Sequence, residues 1–525
     1  MIKNDIIQND NRNIYSLIKN TSMEFPSKSL IVVDNKEITY EKFIVDVDAI
    51  SNSLLALGVS PNEKIAILMP NSVMWYEIFW AIVKIGAHPV PLDPQIGEWE
   101  MVRLFTITDV QICFAAASYR ANNIIENIQK AKQNLPKLKT IINIDQETSS
   151  DDIMSFESFL KISQTQNKDY VYNPSESDVL MLACTSGSTG NPKVIVVPHI
   201  GFYQSQHDIA NYLGFSDKDI MLLGMPLYHQ GGFGMGLQMV LTGGTVMYQS
   251  LFEPNEFLRL VSEKRITIIQ LTATLAKILL SVPDFDKYDL SCLKTCYFAG
   301  EVLPLDIAKE FYEKLNIRVI NIIGSSETGT MVVWDSKYDK DYDPSDFRPL
   351  PFTKMKILDD AKREVECGEI GSIFIHTDAL ITEYYKNDVE TNAKLCWIED
   401  EKWFNTGDLG MKLPDGRVRF TGRAKRIIKR GSNLVCPEEI ESFLLTHPGI
   451  EAIAVQGQKH QLMGESIVAY IQLKNGFQIT RGDILKFCKG KLAAYKVPDQ
   501  VIVVDEIPKD IGKVQFKYLN SSVKE

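Results

Sequence analysis

Two apolar rhythms alternate through the first third of the chain. Ile65 to Met69 is an unbroken apolar run of strand length. Asn71 can then cap a helix carrying Val73, Trp75, Phe79, Ile82 and Val83 at helical spacing, Gly86 closes it, and Pro89 to Leu92 is extended again. Strand, helix and strand in that order predict a βαβ unit. Upstream, Phe43, Val47, Ile50, Leu54 and Leu57 form the stripe of an amphipathic helix stopped by Gly58. Downstream, Val110 to Phe114 and Thr140 to Ile144 read as strands around a helix near Ala121 to Lys132. These stripes are core, and they predict an α/β domain with parallel sheet. Ser149 to Asp152 and Gln164 to Asp169 are polar and read as loops.

The rhythm changes near Gly422 to Lys425. Beyond it come short strands and two small helices. One opens at Pro437, with Glu438 and Glu439 placed where a helix dipole favours carboxylates; the other has Thr480 as N-cap and Asp483 three residues on. The expected fold class is α/β: a large N-terminal domain of α/β subdomains with mixed sheets over residues 1–423, and a small α+β C-terminal domain over residues 424–525. The chain shows no repeat of solenoid period and no low-complexity tract.

A length of 525 residues supports a substantial core, and 45% hydrophobic with 23% charged residues is ordinary globular composition. Lys and Arg total 56 against 67 Asp and Glu, a net charge of −11, which argues against nucleic acid as a partner. The most basic stretch, Arg423 to Arg430, is short and interrupted by two isoleucines. Eight scattered cysteines form no C-x-x-C and no Cys/His zinc spacing, so they read as reduced thiols. With no apolar signal segment at the N-terminus and no apolar window approaching the ~18 residues of a membrane span, the expected location is cytoplasmic.

The candidate chemistry centres on T-S-G-S-T-G-N-P-K, Thr185 to Lys193. Thr185, Ser186, Ser188 and Thr189 bring hydroxyls, Gly187 and Gly190 admit an anion close to backbone N–H groups, and Lys193 brings a positive charge. This is a phosphate-gripping loop. It is not the Walker type, since Asn191 and Pro192 separate Gly190 from Lys193. Apolar Val179 to Ala183 before it and β-branched Val194 to Val197 after it make it strand–loop–strand.

The loop resembles the phosphate-binding signature of the adenylate-forming enzymes, the superfamily of acyl-CoA synthetases, peptide-synthetase adenylation domains and luciferases. Further stretches follow in that family's order, so the resemblance runs from about Ser29 to Lys517. N-I-I-G-S-S-E-T-G, Asn321 to Gly329, resembles the family's aromatic-Gly-x-Thr-Glu motif. That likeness implies that Glu327 holds Mg²⁺ on the phosphates and that Ser326 stands at the α-phosphate. Ile323 stands where the family has an aromatic on adenine. Ala299 to Glu301 resembles the segment along the adenine's other side, with Gly300 admitting a flat ring.

W-F-N-T-G-D, Trp403 to Asp408, implies that Asp408 accepts from the ribose hydroxyls, and Arg423 matches the arginine near ribose and phosphate. Lys425 matches the hinge before a mobile C-terminal domain, and Gly431 the small residue lining a pantetheine channel. The ending I-P-K-D-I-G-K makes Lys513 the catalytic lysine. P-L-Y-H-Q-G-G-F-G, Pro226 to Gly234, resembles the acyl-pocket segment, with His229 gating the carboxylate and glycines leaving space beside it. Gln458, Lys459 and His460 depart from the family's Pro-Asp pattern, which bears on the use of CoA.

The resemblance implies ATP-dependent activation of a carboxylic acid to an acyl-adenylate, with release of pyrophosphate and acyl transfer to CoA. ATP, Mg²⁺ and CoA are the implied cofactors. The alternatives are transfer to a separate carrier-protein thiol or to an amine, and, outside enzymes, an inactive acyl-binding scaffold. Glu327, Asp408, Arg423 and Lys513 together argue against the scaffold.

Overall fold

The computed structural model of the protein describes residues 12–525 except 121, 146–152, 164–169, 186–192, 300–302, 340, 342, 424–427, 431–432, 436, 461–463, 489–491, 493–495, 511–512, 515 and 520–525. It divides into two compact units, Met1–Lys354 with Ile375–Phe404, and Met355–Phe374 with Asn405–Glu525. Residues 355–374 and 405–423 thus cluster with the C-terminal residues, whereas the sequence pattern breaks at 423/424.

The βαβ reading holds in the first unit. Lys64–Leu68, the helix Val73–Lys84 and His88–Pro91 follow one another, and the two strands pair in parallel. Ile112–Ala115, Thr140–Asn143 and Ile153–Ser155 complete a five-stranded parallel sheet. The helix cap differs from expectation. Ser72, not Asn71, is the N-cap and accepts from Trp75 N at 3.0 Å. Asn71 is instead buried as a bridge, its Oδ1 accepting from Leu227 N at 2.8 Å and its Nδ2 donating to Gln249 O at 2.9 Å. Either side chain can cap, and the tertiary bonds decide which one does.

A larger sheet in the same unit runs Asp346–Pro349, Gly329–Asp335, Arg318–Ser325, Thr295–Phe298, Ile268–Leu271, Ile220–Leu223, Thr245–Tyr248, Ser29–Val33, Lys36–Thr39. Its interior is parallel and its two ends are antiparallel. The core is aromatic where helices meet. Phe233 lies among Trp75, Tyr76, Phe79, Trp80 and Phe202, with centroids 4.2 to 6.2 Å away, the range in which ring edges and faces attract. Val179–Thr185 and Lys193–Pro198 pair antiparallel as a separate hairpin.

The N-terminal helix Ile14–Glu24 is fastened at its first turn. Asn13 Oδ1 caps Tyr15 N, its Nδ2 donates to Val83 O and Tyr172 O, and Ile14 N donates to His199 Nε2 at 3.1 Å.

In the second unit, residues 408–412 of the strand Glu401–Lys412 pair antiparallel with Val418–Arg423. A further sheet runs Asn433–Val435, Ile428–Arg430, Gly464–Leu473, Ile450–His460, with Gln500–Val504 parallel on Gly464–Leu473. Helices Pro437–Leu445 and Arg481–Cys488 pack a core that includes Ile440, Leu444, Ile484 and Cys488. Thr480 and Asp483 cap the second helix reciprocally: Asp483 N donates to Thr480 Oγ1 at 3.3 Å and Thr480 N to Asp483 Oδ2 at 2.9 Å. Among the described residues no helix is long and apolar enough to cross a membrane.

Candidate active site

The segment expected to grip phosphate is flanked by a hairpin, in which Thr185 and Lys193 are register partners; the seven residues between them lie outside the described residues. Ser186, Gly187, Ser188, Thr189 and Gly190 all fall in that segment, and of Thr185 only the backbone is described. Lys193 is described fully. Its ammonium forms an ion pair with Glu390 and lies 5.4 Å from the centroid of the Tyr384 ring.

Glu327 sits in the turn between Arg318–Ser325 and Gly329–Asp335. Thr328 N donates to Ser325 O, and Ser325 Oγ and Thr328 Oγ1 are 3.0 Å apart. Thr377 Oγ1 donates to Thr328 O at 2.6 Å, and Gly329 takes φ +67°, where a side chain would be strained. The turn is also fixed from outside, because Ile381 N donates to Glu327 O at 2.9 Å. The Glu327 carboxylate accepts at Oε1 from the Tyr384 hydroxyl at 2.9 Å. Ser326 shares the turn, half-buried, and Ile323 is half-buried on the strand leading into it.

Tyr384 and Glu390 were absent from the sequence reading. The pair Tyr384-Tyr385 ahead of Asp388 and Glu390 carries no motif of its own. Only the fold brings Tyr384 to Glu327, 57 positions away, and Glu390 to Lys193, 197 positions away.

The T-G-D segment lies within the strand Glu401–Lys412 and is not a turn between elements. Gly407 takes φ +76°, Asp408 N donates to Thr406 Oγ1 at 3.0 Å, and Thr406 Oγ1 donates to Ile373 O at 3.0 Å. Asp408 and Arg423 are register partners across the antiparallel ladder. Lys513 lies in the short strand Lys513–Val514, opposite Asp510; its side chain, like that of Arg423, is not described. Gly300, Lys425 and Gly431 lie outside the described residues.

His229 is the N-cap residue of the helix Gln230–Leu241, its ring 5.0 Å from that of Tyr228. Burial pushes its pKa down, opposed by Asp93, so the imidazole is held neutral. Two of the glycines after it, Gly232 and Gly234, do not leave the space expected of them, nor does Gly236 just beyond. A Cβ on Gly232 would lie 2.3 Å from Pro226 O, one on Gly234 2.9 Å from Gln206 Oε1, and one on Gly236 2.2 Å from Tyr248 Oη. Protein atoms already occupy those positions, and the glycines serve close packing of the helix.

A family model described as AMP-binding enzyme matches residues 18–385, more than half of the chain, and one described as AMP-binding enzyme C-terminal domain matches residues 439–512. The chain belongs to the AMP-binding enzyme family. Among relatives, YngI of Bacillus subtilis (strain 168), provisionally named an acyl-CoA synthetase, is 28% identical over 526 residues, covering 95% of each chain. The medium-chain acyl-CoA ligase ACSF2, mitochondrial, of Bos taurus is 26% identical, covering 96% of this chain and 86% of that protein. The fold is shared with the anthranilate CoA ligase AuaEII in complex with anthranoyl-AMP, at TM-score 0.84, 24% identity and 98% coverage of both chains. In this AMP-binding enzyme residues 185–193 and the Glu327 turn lie within the range matched by the first family model.

Proposed function

We propose that the protein activates a carboxylic acid with ATP as an acyl-adenylate, releasing pyrophosphate, and passes the acyl group to CoA. The observation that carries this reading is the convergence of Lys193 and Glu327 on one side chain, Tyr384, although Lys193 opens the second strand of the hairpin and Glu327 sits in a turn of the larger sheet. That convergence supports reading Lys193 as a cation for the phosphates and Glu327 as a carboxylate for their metal.

The residues fit a magnesium ion carried in with the nucleotide. Tyr384 occupies Oε1 of Glu327, leaving Oε2 for a cation, and among the described residues no group of three His, Cys, Asp or Glu forms an all-protein cage. Mg²⁺ is commonly held by one or two carboxylates plus substrate phosphates. When bound, it would supply neutralisation of phosphate charge during attack at the α-phosphorus. In this reading Thr185 to Lys193 grip the phosphates, Ser326 stands at the α-phosphate, and Asp408 with Arg423 hold the ribose. A neutral His229 faces the carboxylate, and Lys513, on a C-terminal domain 424–525 hinged at Lys425, stands between the two anions. The Gly431 segment guides the thiol. The named activities of YngI and ACSF2 support CoA as acceptor.

The test is carboxylate-dependent exchange of labelled pyrophosphate into ATP across aliphatic, aryl and cyclic acids, followed by CoA, an amine or a carrier protein added with the best acid. AMP and pyrophosphate are the expected products, with CoA the productive acceptor. ADP as product would overturn adenylation, and transfer only to an amine or carrier would overturn the acceptor.

A further inference from the structure

The segment from Ile381 to Tyr385 ties two parts of the site together. On one side it lies along the strand leaving the phosphate loop: Thr382 N donates to Val196 O at 3.1 Å, Val196 N to Glu383 O at 3.1 Å and Tyr385 N to Val194 O at 2.8 Å. At its start, Ile381 N holds the backbone of the Glu327 turn. Tyr384 stands at the middle, a bridge partner of Ile195, with its own N–H donating to Thr391 Oγ1 at 2.9 Å. Thr391 belongs to the helix Asp388–Lys394, which also presents Glu390 to Lys193.

Tyr384 is 3% exposed, so its ring cannot swing away without opening the core. Its hydroxyl donates to Glu327 and its face lies beneath the Lys193 ammonium. The terminal torsion of a glutamate is broad, and a carboxylate with no partner samples many orientations. A hydrogen bond at Oε1 selects one of them and leaves Oε2 presented.

We propose that Tyr384 is a positioning residue that sets the spacing between the phosphate-binding Lys193 and the metal-binding Glu327, acting on the nucleotide's magnesium through the Glu327 carboxylate. The proposal rests on the adenylating reading of the site. Its consequence is specific. Removing the hydroxyl should weaken nucleotide binding when magnesium is present and leave metal-free binding alone, because the ring beneath Lys193 survives in Tyr384→Phe.

Calorimetric titration of the full chain with α,β-methylene-ATP, in magnesium and again in EDTA, tests this. Tyr384→Phe should raise the Kd in magnesium about tenfold, the lower end of what losing a hydrogen bond to a charged group costs. In EDTA the shift should stay under about twofold, and in a Glu327→Gln background the Tyr384→Phe effect should vanish to within that same margin. Equal weakening with and without metal would assign Tyr384 to the fold alone and overturn the inference, as would parent-like binding in both. If the parent itself binds the analogue with no metal dependence, the adenylating reading falls together with the inference. A metal-dependent parent with an unchanged Tyr384→Phe variant sinks only the inference.

Discussion

Acid should weaken the protein through His199, by an amount that follows from its surroundings. His199 is 3% exposed, and its Nε2 accepts the Ile14 N–H that starts the N-terminal helix. Burial pushes its pKa down to about 3; the nearby His88 pushes the same way and Asp178 opposes both. His88 is itself lowered to about 4, by burial and then by Lys64, again opposed by Asp178. Both folded values lie below the unfolded value near 6.5, so from there down to the folded pKa the unfolded chain holds protons that the folded chain refuses. Stability is complete above about pH 6.5 and falls with pH at up to roughly 1.4 kcal/mol per unit for each group. At pH 5 His199 alone has cost about 2 kcal/mol, a sizeable share of the ~5–15 kcal/mol that holds a domain folded.

Replacing His199 by Gln removes the titration while keeping an oxygen able to accept from Ile14 N. Urea denaturation of the parent and His199→Gln at pH 7.5 and pH 5 isolates the effect, since the other titrating groups are common to both. The parent should lose about 2 kcal/mol more than the variant over that interval. Equal losses would mean that His199 titrates alike in folded and unfolded chains, and the burial argument would be wrong.

Two other outcomes test the site. A Cβ on Gly324 would lie 2.4 Å from Gly329 O, across the turn carrying Glu327, so Gly324→Ala should lower the melting temperature by a few degrees and weaken magnesium-dependent nucleotide binding; unchanged binding would separate Glu327 from the metal. Lys513→Ala should slow acyl-adenylate formation by orders of magnitude, yet let supplied acyl-adenylate react with CoA, because the ammonium is needed only where charge develops; equal slowing of both steps would refute the assignment.

The parts of the fold legible in the sequence are those governed by local periodicity. Ile65 to Leu92 reads as a βαβ unit because its apolar spacing and its stop at Gly86 act within one turn of helix or one strand. Thr480 and Asp483 show their cap for the same reason. Asn71 misleads because its side chain is claimed by Leu227 and Gln249, partners that no local window contains. The glycines around Phe233 mislead in the opposite sense. A missing Cβ can make room for a substrate or for the protein's own atoms, and only the coordinates show Pro226 O and Tyr248 Oη already there. Glu327 and Lys193 announce themselves through motifs, whereas Tyr384 has no signal until the fold closes.

The charge inventory around Tyr384 bears on how a polyanion can enter. Lys193 contributes one positive charge, Glu390 and Glu327 contribute two negative ones, and Thr185 to Pro192 carry none. These three side chains together are thus net negative by one. Two unit charges 4 Å apart still interact by about 4 kcal/mol at the effective dielectric of a protein surface, so a bare triphosphate meets repulsion from Glu327 comparable with its attraction to Lys193. Neutral donors from the loop hydroxyls and backbone add affinity without changing that balance. A divalent cation between Glu327 and the phosphates reverses it, turning the nearest carboxylate from an obstacle into a ligand. On the proposed reading, nucleotide binding should therefore depend steeply on magnesium, and that dependence would give a carboxylate near a phosphate-binding lysine a physical reason to be there.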